Sequence, residues 1–255
     1  MPLCSDAFLR YGSAYPHGKR ISSFRTMIVP LISDGEWKAV LQDFPVWVPP
    51  GTRAVVVAPH PDDETLGAGG LIAALRKRHV EVGVVAVTDG ENAYSDGQPI
   101  ASIRCSEQEE ALQILGVDSS HITRLRLPDS SVSEHESRLV DLLLPLTGPG
   151  CHLIAPWTGD FHPDHEACGR AAMEAARRSG VSLSFYFFWT WHRGNPDLLT
   201  GLPVKRFPLE SAAIAAKFKA IQCHRSQLSH PSGKPILPDS LLGPMHWPFE
   251  VFASQ

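Results

Sequence analysis

The sequence predicts an α/β fold in which a mostly parallel sheet is covered by helices on both faces, and three observations predict it. Short β-branched runs such as Ala54-Val55-Val56-Val57-Ala58 are apolar throughout, as in strands buried on both sides. Amphipathic stretches of helical length separate these runs, which is the order of βαβ units. The 255 residues, 43% hydrophobic and 20% charged, are enough to bury such a sheet and too mixed for a disordered or fibrous chain. The expected architecture is three-layered and Rossmann-like.

Residues 1–50 stand apart. They hold Gly12, Gly18, Pro30, Gly35 and the Pro49-Pro50-Gly51 breaker around one modest apolar run, Met27 to Ile32, and read as an N-terminal extension packing on a main domain at 51–228. The first strand, Ala54 to Ala58, ends at Pro59, and Leu66 to Arg78 follows as a helix with Leu71, Ile72 and Leu75 on one face. Val80 to Val87 is a second buried strand. A helix at Ser102 to Leu115 stops at Gly116, a short strand runs near Ile122 to Leu127, and a helix at Glu134 to Leu146 leads into the strand Cys151 to Ala155. The next helix, Glu166 to Ser179, stops at Gly180 before an aromatic-rich strand, Val181 to Phe188. Residues 229–255 carry five prolines and little periodicity, and are expected to run irregularly over the same domain.

Composition excludes several functions. A net charge of −4 with no basic run argues against nucleic-acid binding. Five scattered cysteines (Cys4, Cys105, Cys151, Cys168, Cys223) lack the CxxC pairs of a structural zinc or redox site and read as reduced thiols. No apolar stretch reaches the ~20 residues of a membrane span. Met1 to Lys19 is interrupted by Asp6 and Arg10 where a secretory signal needs an apolar core, so the expected location is cytoplasmic. The expected partner is a small-molecule substrate, with a homo-oligomer left open.

In an open α/β sheet, ligands sit beyond the carboxyl ends of the strands. Two of these loops are dense in imidazole and carboxylate: Pro59-His60-Pro61-Asp62-Asp63-Glu64 after the first strand, and Gly159-Asp160-Phe161-His162-Pro163-Asp164-His165 after Cys151 to Ala155. A single Asp-Asp before a helix is ordinarily a cap, and a single loop histidine is ordinarily a surface group. Two such clusters at strand ends point instead to a divalent ion such as zinc, which takes nitrogen and oxygen ligands and in catalytic sites leaves a position for water. His60 and Asp63 can turn toward one point where a helix begins, and a histidine of the second loop closes the triangle. Asp62 or Glu64 is then the candidate general base, and a second histidine the candidate acid or cationic clamp on a developing oxyanion. Such a set makes an amide hydrolase.

At these residues the chain resembles the LmbE-like, or PIG-L type, family of zinc-dependent N-deacetylases, whose two boxes are complete as His60-Pro61-Asp62-Asp63-Glu64 and His162-Pro163-Asp164-His165. Thr88-Asp89-Gly90, the helix with Arg104, Glu107, Ala111 and Leu115-Gly116, and the turn Leu127-Pro128-Asp129 also fit the pattern. Lys217, Ala220, His224, Ser226 and Gln227 resemble its closing segment. The resemblance implies that His60, Asp63 and His165 are zinc ligands, with Fe²⁺ or another divalent ion as the alternative, and that Asp62 is the base. It also implies that His162 stabilises the intermediate or protonates the amine, that Asp164 orients His162, and that Arg104 and Asp129 contact sugar hydroxyls. The implied reaction is removal of an acetyl or other acyl group from an amino-sugar conjugate.

Two features depart from the family pattern. The 1–50 extension is absent from its compact members, and Phe185 to Arg193 is unusually aromatic. Trp191 or Trp157 could therefore line a saccharide subsite, although alternating strand aromatics more often form core. Glu64 reads as a supporting carboxylate rather than a ligand. The rival functions are an amidase acting on a larger thiol or antibiotic conjugate and a nucleotide-binding protein using Gly67-Ala68-Gly69-Gly70. The second is weak, because those glycines fall inside a helix and miss GxGxxG spacing.

Overall fold

The computed structural model describes residues 30–50, 52–94 and 99–255. The first 29 residues of the expected extension, with Cys4 and Met27 to Val29, lie outside the described residues, as does Gly51. The elements in chain order are α1 (Asp34–Leu41), β1 (Arg53–Ala58), α2 (Asp63–Lys77), β2 (Glu81–Ala86), α3 (Ala101–Ile114), β3 (Ile122–Arg124) and α4 (Glu136–Leu143). They continue with β4 (Cys151–Pro156), α5 (Pro163–Ser179), β5 (Ser182–Tyr186), β6 (Val204–Pro208), α6 (Ser211–Ile221) and β7 (Phe249–Ser254). No helix among the described residues is long and apolar enough to cross a membrane.

The seven strands form one sheet in the order β3-β2-β1-β4-β5-β7-β6. The first five are parallel, and β7 runs antiparallel to both β5 and β6. Chain order reverses between β1 and β4, which pair directly with Val56 opposite Ile154. The crevice beyond their carboxyl ends is the topological switch point, where ligands of such sheets bind. Both boxes open there.

β1 explains why its run is apolar throughout. Val55 and Val57 pack toward α4 and α5, while Ala54, Val56 and Ala58 pack toward α2 and α3. On α5 the buried face is Ala167, Ala171, Ala172, Ala175 and Ala176, which lets that helix lie close to the sheet.

Gly67 serves the same end on α2. A Cβ there would fall within the ring of Tyr186, and one at Gly70 would strike Leu209 and Glu250. These glycines are therefore a packing surface inside a helix, and the phosphate-loop reading of Gly67 to Gly70 is set aside. Glu250 of β7 completes the contact by accepting the Gly70 and Leu71 N–H groups and the Lys217 ammonium, at 2.7, 2.8 and 2.7 Å.

Several boundaries shift for identifiable reasons. α2 begins at Asp63 and α5 at Pro163, so each box contributes the first turn of its helix. The helix expected at 134–146 is α4 with a 3₁₀ turn at either end; Pro145, lacking an N–H, lies in the second. The tail is not irregular throughout, since residues 249–254 form β7 inside the sheet. Residues 30–50 pack on the domain: α1 buries Trp37 and Leu41, Trp37 Nε1 donates to Trp191 O at 3.1 Å, and Trp47 N donates to Arg206 O at 2.8 Å along the β6 edge.

Candidate metal centre and active site

His60 and Asp63 stand on the β1–α2 turn and His165 in the first turn of α5. Their ligand atoms lie within 4.8 Å of one another, and the two imidazole centroids are 5.6 Å apart. His60 Nε2 faces Asp164 Oδ2 at 3.2 Å and Asp129 Oδ1 at 3.3 Å, while its Nδ1 is 3.0 Å from Asp63 Oδ2. His165 Nδ1 is 2.9 Å from Asp160 Oδ2. Its buried Nε2 makes no hydrogen bond and lies 3.2 Å from Asp63 Oδ1.

These contacts set the tautomers. A neutral ring that gives its one N–H to a carboxylate other than Asp63 would point the lone pair of its second nitrogen at an Asp63 oxygen. Two lone pairs against one carboxylate are unfavourable unless a positive charge lies between them. Protons can supply it: hydrogen bonds to Asp129, Asp164 and Asp63 overcome the burial that opposes charging and hold His60 well above its ordinary pKa. His165 is likewise raised to about 9, its burial outweighed by the charge of Asp63 and by the hydrogen bond to Asp160. A divalent ion supplies the charge more directly, and two nitrogens with one carboxylate are a donor set that suits zinc.

Asp62, 5% exposed, sits beside this triad. Burial first, then the neighbouring Asp63 charge, lift it to about 6, against the opposing pull of Arg104. Arg104 Nη2 is 3.6 Å from Asp62 Oδ2, and the same guanidinium donates to Gly90 O at 3.0 Å and Gln227 Oε1 at 2.9 Å. Gly90 has φ +66, and a Cβ there would strike that guanidinium. Gln227 also donates to Pro61 O at 2.7 Å, tying the first box to Arg104. Arg104 is thus 4% exposed, behind the aspartate, rather than on an open wall. Asp129, also buried, accepts from Asn92 N at 2.9 Å and supports His60, and that pairing outweighs burial to lower it to about 2.

His162 is the N-cap of α5. Its Nδ1 accepts the Asp164 N–H at 3.3 Å, which leaves the ring proton on Nε2. Burial first, then the charges of His165 and His60, hold His162 well below its ordinary pKa and hence neutral. The main-chain N–H of Asp164 therefore orients His162, where the sequence pointed to its side chain. The Asp164 carboxylate instead accepts from Ser130 N at 2.8 Å and Val132 N at 3.1 Å and faces His60. Glu64, fully buried, accepts from Thr65 Oγ1 and Gln108 Nε2, as befits a supporting group, and its burial raises it to about 7.

Asp160 is the residue the sequence underrated. Besides His165 it accepts the main-chain N–H groups of Phe188, Trp189 and Thr190 and the Thr190 hydroxyl, at 2.7 to 3.2 Å. Its signal was position, five residues before the candidate ligand His165 inside the same cluster. Trp157 and Trp191 are core, at 3% and 4% exposure. The aromatic at the site is the partly exposed Trp189, stacked at 16° to the His162 ring with centroids 6.1 Å apart. A groove of about 460 Å³, lined by Ala74, Lys77, Ile114, Phe207 and Ala216, lies at the far end of α2 from Asp63 and has no part in this chemistry.

Fold and site together define an enzyme of the N-deacetylase class, a hydrolase of amides. Residues 55–176 match the family described as PIG-L, GlcNAc-PI de-N-acetylase, so the chain carries a domain of that LmbE-like type. It is 27% identical over 196 residues to the diacetylchitobiose deacetylase of Thermococcus kodakarensis, covering 69% of this chain and 70% of that one. It is 31% identical over 136 residues to a probable N-acetyl-α-D-glucosaminyl L-malate deacetylase 2 of Bacillus subtilis, covering 49% and 61%. The solved N,N'-diacetylchitobiose deacetylase of Pyrococcus horikoshii superposes with a TM-score of 0.63 at 24% identity, covering 80% and 84%, and shares the fold.

Proposed function

We propose that this protein removes the acetyl group from an N-acetylglucosamine-type conjugate as a divalent-metal-dependent deacetylase, with zinc the expected ion. The observation that carries the reading is the pair of imidazole nitrogens, His60 Nδ1 and His165 Nε2, that converge on the Asp63 carboxylate at 3.0 and 3.2 Å beside an aspartate raised to about 6. His60 Nδ1, Asp63 and His165 Nε2 are the proposed ligands. The bound ion supplies Lewis acidity for the acyl oxygen and acidifies water.

Asp62, largely ionised at neutral pH, takes a proton from the water that attacks the acyl carbon. His162, neutral with its proton on Nε2, donates a hydrogen bond to the oxygen on which charge develops. This favours the stabilising role over the acid role for His162. As the C–N bond breaks, the proton held by Asp62 passes to the amine nitrogen. One water is consumed, and acetate and a free amine leave. Arg104, its two Nη atoms engaged by Gly90 and Gln227, and Asp129, paired with His60 and Asn92, form the wall behind Asp62 and His60, and Trp189 offers a ring face to the sugar. The relatives' names support an amino-sugar as the substrate class.

Acetate release from a panel of N-acetylated glucosamine conjugates tests this, with elemental analysis of the gently purified protein. About one divalent ion per chain and metal-dependent acetate release on at least one conjugate are expected. Absence of the ion, with no release after added zinc, overturns the reading.

A further inference from the structure

The peptide leading into His162 is strained and clamped. Phe161 has φ +57, in the left-handed region that a bulky residue rarely adopts. It stands between two working residues, Asp160 on His165 and His162 at the α5 N-cap. Its carbonyl accepts a charge-assisted hydrogen bond from Arg193 Nη1 at 2.6 Å. Arg193 is held in turn, with its guanidinium carbon 4.2 Å from the centroid of the Trp189 ring. Trp189 gives its N–H to Asp160 and stacks along His162. Asp160, Trp189, Arg193 and the Phe161 carbonyl therefore close a ring of contacts around the one backbone unit that sets the direction of His162.

We propose that Arg193 is a positioning residue for His162, holding the Phe161–His162 peptide against the strain at Phe161. This rests on the deacetylase reading only for its kinetic consequence, since the clamp itself is a matter of fold. Released from Arg193, Phe161 relaxes toward negative φ and its peptide rotates. The His162 ring then leaves the position from which Nε2 reaches a developing oxyanion. The metal triad, anchored separately by Asp160 and Asp164, stays in place. A glycine at 161 has no penalty at that φ and so removes the need for the clamp.

The test is a double-mutant cycle of Arg193→Ala and Phe161→Gly, with Phe161→Asn repeating it in a residue that tolerates the left-handed conformation. Arg193→Ala is expected to keep full metal occupancy and KM within about threefold, while kcat falls about tenfold to a hundredfold, the scale of a misplaced catalytic group. In the Phe161→Gly background the same change is expected to cost kcat at least several-fold less. Arg193→Lys, able to donate to the carbonyl but not to stack flat, should recover part of the loss.

Equal losses in both backgrounds overturn the proposal, as does a raised KM with unchanged kcat, which would place Arg193 on the substrate. Thermal unfolding of the same four proteins reads the clamp without substrate. Arg193→Ala should lower Tm by about 2–4 °C with Phe161 present and by clearly less with glycine there. If the wild-type chain releases no acetate, the function falls while this cycle still decides on Arg193; additive Tm shifts overturn the clamp even where activity is found.

Discussion

Asp160 lies 2.9 Å from His165 Nδ1 and carries the main chain of Phe188, Trp189 and Thr190 on the same carboxylate. One buried acid thus joins the end of β5 to a proposed metal ligand and fixes which nitrogen of that histidine is free. Carboxylates behind ligand histidines commonly set tautomer and ring orientation. Asp160→Asn should keep the fold, because one amide oxygen still serves the turn at 188–190. Its amide hydrogens would confront the His165 Nδ1–H and drive the ring proton onto Nε2, where the ion needs a lone pair. Metal affinity, measured by competition with a chelator, is expected to fall about 10–100-fold. Unchanged affinity would show that His165 is oriented by something else.

Asp62 gives the acid limb of the pH profile. Its carboxyl is lifted to about 6, chiefly by burial, so the proposed base is ionised above that pH and protonated below it. The log of kcat/KM should fall with unit slope as pH drops below about 6 and level off above it. Asp62→Asn should retain the ion, since the proposed ligands are untouched, and lose about 10²–10⁴-fold in kcat. Metal occupancy by elemental analysis and turnover by acetate release separate the two. A variant that lost its ion along with its activity would move Asp62 into the ligand set.

How much of this was readable in sequence follows from where each partner sits. His60, Asp63 and His165 were legible because each box is contiguous and falls at a strand end, so local spacing and fold class together located the crevice. Asp160 was not, because its partners are main-chain N–H groups 28 to 30 residues away, which side-chain patterns do not record. Trp191 and Trp157 were the aromatics the sequence offered, and Trp189 was not, because strand alternation stops being a guide where β5 ends at Tyr186 and the chain turns over Asp160. β7 was hidden by the prolines before it and by Glu250, a charge inside an apolar run whose partner Lys217 lies 33 residues earlier.

Gly67 makes a prediction about the fold alone. A methyl group there meets the Tyr186 ring, which is fully buried and cannot move aside without giving up the hydrogen bond from its hydroxyl to Val57 O at 3.0 Å. Gly67→Ala should destabilise by about 1–3 kcal/mol, the range for overpacking a dense core. That corresponds to a fall in Tm of about 2–4 °C per kcal/mol for a chain of this size. Thermal unfolding measures it, and an unchanged or raised Tm would mean that α2 does not lie on Tyr186. Because the residue is four positions past Asp63 on the same helix, metal occupancy serves as the control and should hold.

His152 predicts an acid-stability signature remote from the metal centre. It lies in β4, 2% exposed, with Nδ1 2.7 Å from Ser182 Oγ, Nε2 without a partner, and its ring centroid 5.5 Å from that of Trp47. Burial lowers its pKa to about 4, below the ordinary value of 6.5. The unfolded chain therefore binds a proton that the folded chain refuses between those values. Stability from this group is whole above about pH 6.5 and is lost as pH falls toward 4, at up to about 1.4 kcal/mol per pH unit and about 3 kcal/mol in all. His152→Leu removes the titration while keeping an apolar side chain against Trp47. The difference in unfolding free energy between wild type and variant, from urea denaturation at several pH values, cancels the contribution of the metal ligands common to both. That difference should shift in favour of the variant by one proton's slope between pH 6.5 and 4 and be flat above it. A difference independent of pH throughout would mean that His152 charges without penalty in the fold, and that the ring beside Trp47 is hydrated.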